Sequence, residues 1–461
     1  MPSGEATGAS GLAGRPPQPG ATPALQRCVG VPAGEFARQY WAERPLLTKA
    51  GSGSSRAGDG FGDFADLFSA DAVDELVSVR GLRTPFLRMA KDGSVLASAT
   101  FTRGGGAGAT ITDQVADDKV LGQLAAGATL VLQALHRTWP PLVRFGSELA
   151  AELGHPVQIN AYITPPQNQG FASHYDTHDV FVLQIAGTKH WRIHEPVLPD
   201  PLPHQTWDGR RAQVQDRAAQ APAIDALLRP GDALYLPRGY LHSAVAQGEL
   251  SIHLTIGVHP LTGYDLAREL IAAAEDDPEL RRSLPMGVDV TDVDAMATHL
   301  RQAAQRLVDR LGQAGPELYR AAARRVGPQQ VGQTRPAPIA PLAQLRAAAT
   351  LDPQTPLVLR PGLRPRLRQQ GEKWVLSLID STVSWPEQVH AALLIVLSGK
   401  AFTADELPNL DDAEQLVVAR RLLREGIVIP AVIPAVIPTV IPAVAPGPDG
   451  GAAGPATDDG G

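Results

Sequence analysis

The feature that most constrains this chain is a series of short apolar segments between residues 157 and 258, separated by Gly, Pro and Asp. The segments are rich in Val, Ile, Leu and aromatic residues, and several alternate apolar with polar positions, as a half-buried strand does. Short strands between turn signals are typical of a β-sandwich or small barrel. We therefore predict a mainly β core built from VQINAYI, HYDTHDVFVLQIA, KHWRIH, ALYLP, LHSAVA and LSIHLTIGV.

Both ends of the chain differ from this core in composition. The 461 residues include 45 glycines and 41 prolines, and both ends are enriched in these two residue types. We predict a disordered tail over residues 1–27, because no periodic apolar residues there offset the entropy lost on ordering. Residues 430–461 are predicted to be a low-complexity Pro/Gly-rich tail, in which the proline of each VIPA repeat prevents pairing as a sheet.

Charge and cysteine content exclude several classes of protein. The net charge of −7 gives no reason to expect a nucleic-acid or anionic-membrane partner. The single cysteine, Cys28, excludes internal disulfides and any cysteine-rich zinc or iron–sulfur site. The N-terminus lacks the apolar stretch of a signal peptide, and no segment reaches the roughly 20 apolar residues of a membrane span. We therefore predict a cytoplasmic protein.

Helical patterns flank the β core. Apolar residues at helical spacing predict a helix that begins near Glu35 and stops at Pro45, and Ser69 has the position of a helix N-cap. After Pro260 the helical period returns, and the last region combines two helices with short strand segments, as a winged-helix-like α/β unit does. The predicted helices of the first of these regions cover residues 265–275, 292–312 and 317–325.

A candidate metal site lies in SHYDTHD, residues 173–179, directly before VFVLQIA. In a strand, residues two apart point to the same face, so His174 and Asp176 are predicted to project together into the space that the sheet encloses. In PGDALYLPRGYLH a turn, a short strand and a second turn would return His242 on a neighbouring strand. Two histidines and one carboxylate leave coordination positions open, which suits non-haem Fe(II) and oxygen chemistry.

Alternative ligands and metals fit this pattern less well. His178 shares the strand face of His174, but four strand residues separate their backbones by about 13 Å, too far for two bonds of about 2.1 Å to one ion. Zinc usually takes four ligands, and without a thiolate a structural zinc site is disfavoured. The remaining histidines of the core are interpreted as surface or hydrogen-bonded residues: His190, His194, His204 and His259.

Lys189 is a candidate for binding an anion in the same pocket. It follows the predicted turn Ala186-Gly187-Thr188, and a hairpin there would set it beside the strand that carries His174 and Asp176. Its ammonium group would then be placed to pair with an anionic cosubstrate. A solvated hairpin lysine is the alternative.

Polar residues on two other predicted strands are candidates for lining the pocket. Asn160 and Tyr162 alternate on one face of an otherwise apolar segment, and either line the pocket or cap a layer of the barrel. His253 alternates with Ser251 and Thr255 on a strand that would line the same pocket, and Thr255 is predicted to contact the cosubstrate.

Two motifs of the core resemble the cupin-type JmjC oxygenases, specifically the ribosomal-oxygenase branch. They are NAYITPPQNQGFASHYDTHDVFVLQIAGTKHWRIHEP and PGDALYLPRGYLHSA, and YWAERPLL is similar to that branch's N-terminal helix. The resemblance runs from about Pro32 to Arg424. It implies a double-stranded β-helix (a cupin/JmjC jelly roll) with N-terminal helices over residues 28–260, a helical, dimer-forming region over 261–345 and a winged-helix-like domain over 346–429.

The resemblance also implies roles for individual residues. His174, Asp176 and His242 would be the Fe(II) ligands, and Lys189 would bind the distal carboxylate of 2-oxoglutarate. Asn160 is similar to a polar residue beside the cosubstrate, and Tyr162 to one that contacts substrate.

The implied activity is that of a 2-oxoglutarate-dependent dioxygenase. It would consume O2, form succinate and CO2, and hydroxylate a histidyl or arginyl side chain of a ribosomal protein. Hydroxylation of a peptide or amino acid in a biosynthetic pathway is one alternative. The other is a non-catalytic metal-binding cupin whose winged helix binds DNA through a local basic cluster, Arg360, Arg364, Arg366, Arg368 and Lys373.

Overall fold

The chain divides into two compact units, which are described separately. The first contains the described residues of Met1–Pro338, Pro361–Gly371 and Val375–Ser384, and the second contains the remainder. The computed structural model describes residues 23–51, 63–91, 93–108, 110–169 and 171–431.

The strands are numbered in chain order. They are β1 Leu46–Thr48, β2 Leu87–Lys91, β3 Ser94–Val95, β4 Thr102–Arg103, β5 Gln114–Val115, β6 Thr129–Leu132, β7 Val157–Thr164, β8 Asp179–His194, β9 Ile224–Leu228, β10 Ala233–Leu236, β11 Leu241–Val258, β12 Leu357–Leu359, β13 Arg366–Gln370, β14 Lys373–Ser377, β15 Thr382–Pro386 and β16 Val428–Pro430.

The helices are numbered in the same way. They are α1 Ala24–Cys28, α2 Ala33–Gln39, α3 Ala70–Ser78, α4 Asp117–Ala125, α5 Leu135–Thr138, α6 Pro140–Leu153, α7 Arg211–Ala218, α8 Gly263–Ala273, α9 Val293–Gly312, α10 Pro316–Gln333, α11 Pro341–Ala349, α12 His390–Leu397 and α13 Asp412–Arg424. Single 3-10 turns occur at Ser98–Thr100, Trp207–Arg210, Glu387–Val389 and Ala404–Glu406. Within the described residues, none of these helices has the length and apolar character needed to cross a bilayer.

A nine-stranded sheet forms the centre of the first unit, as the strand pattern predicts. Its order is β1-β10-β8-β11-β7-β6-β2-β3, with β9 paired to β8, and every pairing is antiparallel. Consecutive side chains of β7 point to opposite faces, so Ile159, Ala161 and Ile163 are buried in the main core, while Asn160 and Tyr162 point the other way. The face that carries Asn160 and Tyr162 is therefore available to form a pocket.

The predicted hairpin at Ala186-Gly187-Thr188 is wrong. β8 continues through it, and β8 and β11 pair from Leu241↔His194 to Val258↔Asp179, with a register shift between Gln247 and Ile252. Gly187 has φ +61°, and a Cβ there would lie 2.1 Å from the carbonyl oxygen of Leu250. The glycine thus allows the close approach of two long strands at an irregularity, rather than a reversal of the chain.

Helices cover the outer face of this sheet. Ser69 accepts a hydrogen bond from the backbone N–H of Ala72 and begins α3, as predicted. α2 lies over Ala33–Gln39, where Phe36 is buried against Phe181 and Tyr235. The apolar core on this side of the sheet therefore unites the N-terminal helices with the β strands.

The second unit has the helices and short strands expected of its sequence. β12 pairs with β16, and α11 packs against α13. The side chain of Asp411 accepts from the N–H of Glu414, whose own side chain accepts from the N–H of Asp411, so a capping box begins α13. The winged-helix assignment of residues 346–429 stays a prediction.

The two predicted tails fall mostly outside the described residues, which exclude 1–22 and 432–461. The prediction of disorder up to residue 27 extends too far. Residues Ala24–Cys28 form α1, and Cys28 is 1% exposed because its side chain packs in the core of the first unit.

Candidate metal centre

The three predicted ligands converge at one end of the central sheet. A donor atom of each of His174, Asp176 and His242 lies within 4.8 Å of the other two. Nε2 of His242 is 3.7 Å from Oδ2 of Asp176, and the two imidazole centroids are 4.4 Å apart. These separations allow one ion to contact two nitrogens and one carboxylate oxygen.

The local backbone differs from the prediction in one respect. β8 begins at Asp179, so His174 and Asp176 lie in the segment before the strand and not on it. His174 instead forms an isolated antiparallel bridge with His242: its N–H donates to the His242 carbonyl at 3.2 Å, and the His242 N–H donates back at 2.8 Å. The N–H of Gly239 donates to the Asp176 carbonyl at 3.0 Å. Backbone hydrogen bonds therefore join the two ligand-bearing segments directly.

Both imidazoles are oriented by a backbone carbonyl two residues earlier. Nδ1 of His174 is 2.8 Å from the Ala172 oxygen, and Nδ1 of His242 is 3.1 Å from the Tyr240 oxygen. When Nδ1 carries the proton and donates it to a carbonyl, Nε2 keeps its lone pair. Both Nε2 atoms are then available as ligands.

The protonation states favour metal binding at neutral pH. Burial, together with the neighbouring His174, lowers the pKa of His242 to about 4, so this imidazole is neutral. Burial opposes the charge of Asp176, but the facing side chains of His178, His242 and His174 outweigh it and lower the pKa of the carboxyl group. A neutral imidazole and a charged carboxylate are the forms that bind a cation.

His178 is not part of this group, as expected. The expectation assumed that residues 174–178 form a strand, which they do not. His178 lies in the same non-strand segment as His174, and its ring is 5.2 Å from that of His259. The only group of potential metal ligands found among the described residues is His174, Asp176 and His242.

Lys189 is buried on the face of the sheet that carries Tyr162 and Thr164, although the hairpin predicted beside it does not exist. Its side chain enters from the middle of β8, is 4% exposed and donates to Oγ1 of Thr164 at 3.1 Å. Burial lowers its pKa to about 7, and no neighbouring charge within the described residues counteracts this effect. A buried ammonium group whose hydrogen-bond partner is neutral is a suitable site for an anion.

The predicted polar residues of β7 and β11 face each other across the sheet. Asn160 pairs with Thr255, and Tyr162 pairs with His253, whose ring is stacked on it at 5.1 Å. Burial raises the pKa of the Tyr162 hydroxyl, and the nearby Arg88 and Thr255 side chains oppose this effect. Oδ1 of Asn160 accepts from the N–H of Ala134 at 3.1 Å, so this side chain also has a structural contact.

Two residues of the pocket were not predicted. The Trp191 ring lies 6.2 Å from that of His242 and 5.4 Å from that of His253, and its buried Nε1 has no hydrogen-bond partner among the described residues. Trp191 is two residues after Lys189 on β8 and therefore points to the same face of the sheet, so strand alternation alone could have predicted its place beside Lys189. Arg88, on β2, lies over the Phe171 ring at 5.5 Å, and nothing in the sequence connects it with the site.

Parts of this chain are similar to one domain family and to several curated proteins. Residues 141–266 match the family model described as JmjC domain. Ribosomal oxygenase 1 of Gallus gallus is 31% identical over 304 residues, which are 62% of this chain and 47% of that protein. The bifunctional lysine-specific demethylase and histidyl-hydroxylase NO66 of Drosophila persimilis is 34% identical over 175 residues, which are 34% of this chain and 25% of that protein.

A solved structure, that of the Escherichia coli ribosomal oxygenase YcfD, is 19% identical and aligns with 87% of this chain and 98% of that chain at a TM-score of 0.45. The chain spans about half or less of the length of the curated relatives named above. The matched segment contains all three converging side chains and Lys189. Residues 141–266 of this chain therefore match a JmjC domain, and the chain is similar over 304 residues to a ribosomal oxygenase.

Proposed function

We propose that this protein is an Fe(II)- and 2-oxoglutarate-dependent dioxygenase that hydroxylates an amino-acid side chain of a protein. One observation carries the proposal: a cluster of two histidines and one aspartate lies on the same face of the sheet as a buried lysine whose hydrogen-bond partner is neutral, with Trp191, two residues after Lys189 on β8, 6.2 Å from the His242 ring. The cluster supplies a cation site and the lysine supplies an anion site.

The donor set fits iron better than the common alternatives. Two imidazole nitrogens and one carboxylate oxygen match the set typical of non-haem Fe(II) oxygenases, which leaves positions for other ligands. Structural zinc sites usually have four protein ligands, and here the described residues provide a group of three. When bound, Fe(II) and 2-oxoglutarate would supply the oxidative chemistry, in which O2 is consumed, succinate and CO2 are released and one oxygen atom enters a C–H bond.

The protein residues would bind and orient these groups. His174, Asp176 and His242 would hold the metal. The ammonium group of Lys189, oriented by its hydrogen bond to Thr164, would neutralise the distal carboxylate of 2-oxoglutarate. Trp191 offers an unpartnered indole N–H within the same pocket. Apolar side chains of β8 and β10 on this face of the sheet exclude water, among them Val182, Ile193, Leu234 and Leu236.

The relatives support a ribosomal protein as the substrate and a histidyl side chain as the target, and an arginyl target stays a prediction. Two of the matched proteins are named for ribosomal oxygenation and for histidyl hydroxylation with lysine demethylation. Such a substrate would be met in the cytoplasm, which is where we propose that the protein acts.

Mass spectrometry tests this proposal. The purified protein with Fe(II), ascorbate, 2-oxoglutarate and ribosomal proteins should release succinate and add one oxygen atom to one ribosomal protein, and the His174→Ala variant should do neither. Succinate release without any change in ribosomal mass would favour a peptide-tailoring hydroxylase instead. Loss of a methyl group would indicate demethylation. No succinate release with any peptide or protein would refute the enzymatic proposal.

The helical region 261–345 stays the predicted dimerisation region. α9 has no buried residue, although Val293, Leu300 and Val308 give it an apolar stripe. If a second copy covers this stripe, light scattering should show a dimer for the wild type and a monomer for a Leu300→Glu, Val308→Glu variant. A monomeric wild type would contradict the prediction.

A further inference from the structure

The two segments that carry the metal ligands share a buried carboxylate that does not itself belong to the ligand group. Asp179, at the start of β8, has no exposed surface. Its Oδ2 accepts from the Tyr235 hydroxyl at 3.0 Å, and its Oδ1 accepts from the backbone N–H of Arg238 at 2.9 Å. A carboxylate buried to this extent is stable only when its oxygens have such partners.

The partners of Asp179 are themselves fixed by further contacts. The Tyr235 hydroxyl accepts from the N–H of Ala42 at 2.9 Å, so its own proton is directed to Asp179. The Arg238 guanidinium lies 3.7 Å from Oδ1 of Asp179 through Nη1 and 2.9 Å from Asp200 through Nη2. Tyr235 and Arg238 are thus each held by a second contact besides Asp179.

The position of this network relates it to the metal site. Asp179 follows Asp176 on one segment, and Arg238 precedes Gly239 and His242 on the other. Gly239 donates to the Asp176 carbonyl, and it has φ +90° with the Leu198 carbonyl oxygen 2.6 Å from where a Cβ would be. The 237–242 turn is therefore held against the 174–178 segment by the Gly239 hydrogen bond and the two His174–His242 backbone hydrogen bonds, and against the start of β8 by the Asp179 carboxylate.

We propose that Asp179 is a positioning residue of the metal centre: by binding Tyr235 and the N–H of Arg238, it holds the 237–242 turn where His242 can share an ion with His174 and Asp176. This inference rests on the proposed function, because it requires that the three residues bind a metal. It adds that metal affinity depends on a carboxylate that does not contact the ion.

The chain offers a matched control, Asp232, at the other end of β10. It is 3% exposed and accepts from the N–H groups of Ala50 at 2.8 Å and Arg229 at 2.9 Å, with Lys49 Nζ at 3.0 Å. Both carboxylates are buried and have two hydrogen-bond donors and one cationic side chain nearby. The donors are two backbone N–H groups for Asp232, and one N–H group and one hydroxyl for Asp179. The partners of Asp232, however, include no residue of the 174–178 or 237–242 segments.

Asp179→Asn changes one oxygen to an NH2 group at nearly constant shape. If the amide oxygen faces the Arg238 N–H, the NH2 group faces the Tyr235 hydroxyl, whose acceptor side is already occupied by Ala42. Two donors then face each other, and the turn is expected to shift. Asp232→Asn introduces a comparable defect away from the metal centre.

The test measures Co2+ binding to the metal-free full-length protein by the visible absorption of the bound ion, together with thermal unfolding of each metal-free variant. Loss of a group that supports metal ligands typically reduces metal affinity by about 10- to 100-fold, and we expect this for Asp179→Asn. Asp232→Asn should lower the unfolding temperature but leave the Co2+ affinity at the wild-type value. Tyr235→Phe, which removes one of the two donors, should reduce Co2+ affinity less than Asp179→Asn.

The outcomes separate the two proposals. Equal Co2+ affinity of the wild type, Asp179→Asn and Asp232→Asn would overturn the positioning role and leave the proposed function intact. A wild type that binds no Co2+ would refute the metal centre itself. If Asp179→Asn does not fold, Tyr235→Phe decides: a reduced Co2+ affinity supports the positioning role, and an unchanged one overturns it.

Discussion

The metal-ligand end and the lysine end of the pocket are built in different ways. At the metal-ligand end the Asp176 side chain is 34% exposed, and each imidazole is oriented by a carbonyl two residues away in sequence. At the lysine end Lys189 is 4% exposed, and its contacts come from Thr164 on β7 and, through it, from Thr129 on β6. The first end depends on local backbone geometry and the second on the register of long strands.

This difference indicates that metal binding and anion binding can be lost separately. A substitution at the metal-ligand end should abolish binding of the metal ion. A substitution at the lysine end should leave metal binding unchanged and weaken binding of the anion. The following predictions test that separation, beginning with the largest expected effect.

Removal of one metal ligand should have the largest effect. His174→Ala or Asp176→Ala leaves a two-ligand site, so we expect loss of Co2+ binding and of all 2-oxoglutarate turnover. Co2+ absorption and succinate release measure the two effects. His190→Ala is the control, because His190 pairs with Asp225 outside the pocket and should change neither. Tight Co2+ binding by both ligand variants would show that the ion binds elsewhere.

Lys189→Met should weaken the binding of 2-oxoglutarate and leave metal binding unchanged. Loss of a hydrogen bond to a charged group costs about 1.5–3 kcal/mol, so the Kd for 2-oxoglutarate should rise by about 10- to 100-fold. Calorimetric titration of the Co2+-loaded protein measures it. Lys49→Met removes a lysine whose contacts are with Asp232 and a backbone carbonyl, and it should leave this Kd unchanged. Equal losses in the two variants would show that Lys189 is not the anion site, and a loss of Co2+ by Lys189→Met would remove the distinction between the two ends.

The affinity for 2-oxoglutarate should also depend on pH through Lys189. Burial lowers the pKa of this ammonium group to about 7, so in the free protein an increasing fraction is neutral as the pH rises above that value. Affinity should be highest below about pH 7 and fall by up to about tenfold per pH unit above it, because only the charged form attracts the carboxylate.

Titration of the neighbouring His242 and His253 does not contribute to the change in 2-oxoglutarate affinity above about pH 7. Burial lowers the pKa of His242 to about 4 and that of His253 well below its usual value, so both stay neutral. Calorimetry between about pH 6 and 9 should show the decrease for the wild type and a flat profile for Lys189→Met. A wild-type profile as flat as that of the variant would contradict the assignment of Lys189 as the anion site.

The smallest expected effect is that of Tyr162→Phe. The variant loses the hydroxyl near Arg88 and Thr255 but keeps the ring stacked on His253. Loss of one neutral hydrogen bond from this hydroxyl to the protein substrate, worth about 0.5–1.5 kcal/mol, corresponds to a KM for that substrate raised by about 2- to 10-fold, with Co2+ affinity unchanged. Steady-state kinetics measures this change. A loss of Co2+ binding would place Tyr162 in the metal-ligand end instead.

The sequence was most informative where the relevant residues are close together along the chain. His174 and Asp176 are two residues apart, and the Pro/Gly turns of PGDALYLPRGYLH indicated the return of His242 to the same place. The convergence of the three donors agrees with that prediction, although the two residues lie before the strand and not on it.

Prediction was weaker where long strands decide the contacts. Lys189 was selected through a hairpin that does not form, since Gly187 allows β8 to pass β11 closely instead of turning. Arg88 reaches the pocket from β2, and the Asp179 network joins residues more than fifty positions apart. No local pattern contains this information.

The amino-acid sequence by itself determined the mainly β class, the choice of His174 and Asp176 as candidate ligands, and the exclusion of a cysteine-rich metal site, because periodicity and composition are local properties of a chain. Only the tertiary structure decided which strand faces meet. Strand register brings Lys189, Trp191 and Tyr162 around one pocket, and buries Asp179 against Tyr235 and Arg238. Register is set by pairing over the whole sheet, and a shift of one residue would turn each of these side chains to the opposite face.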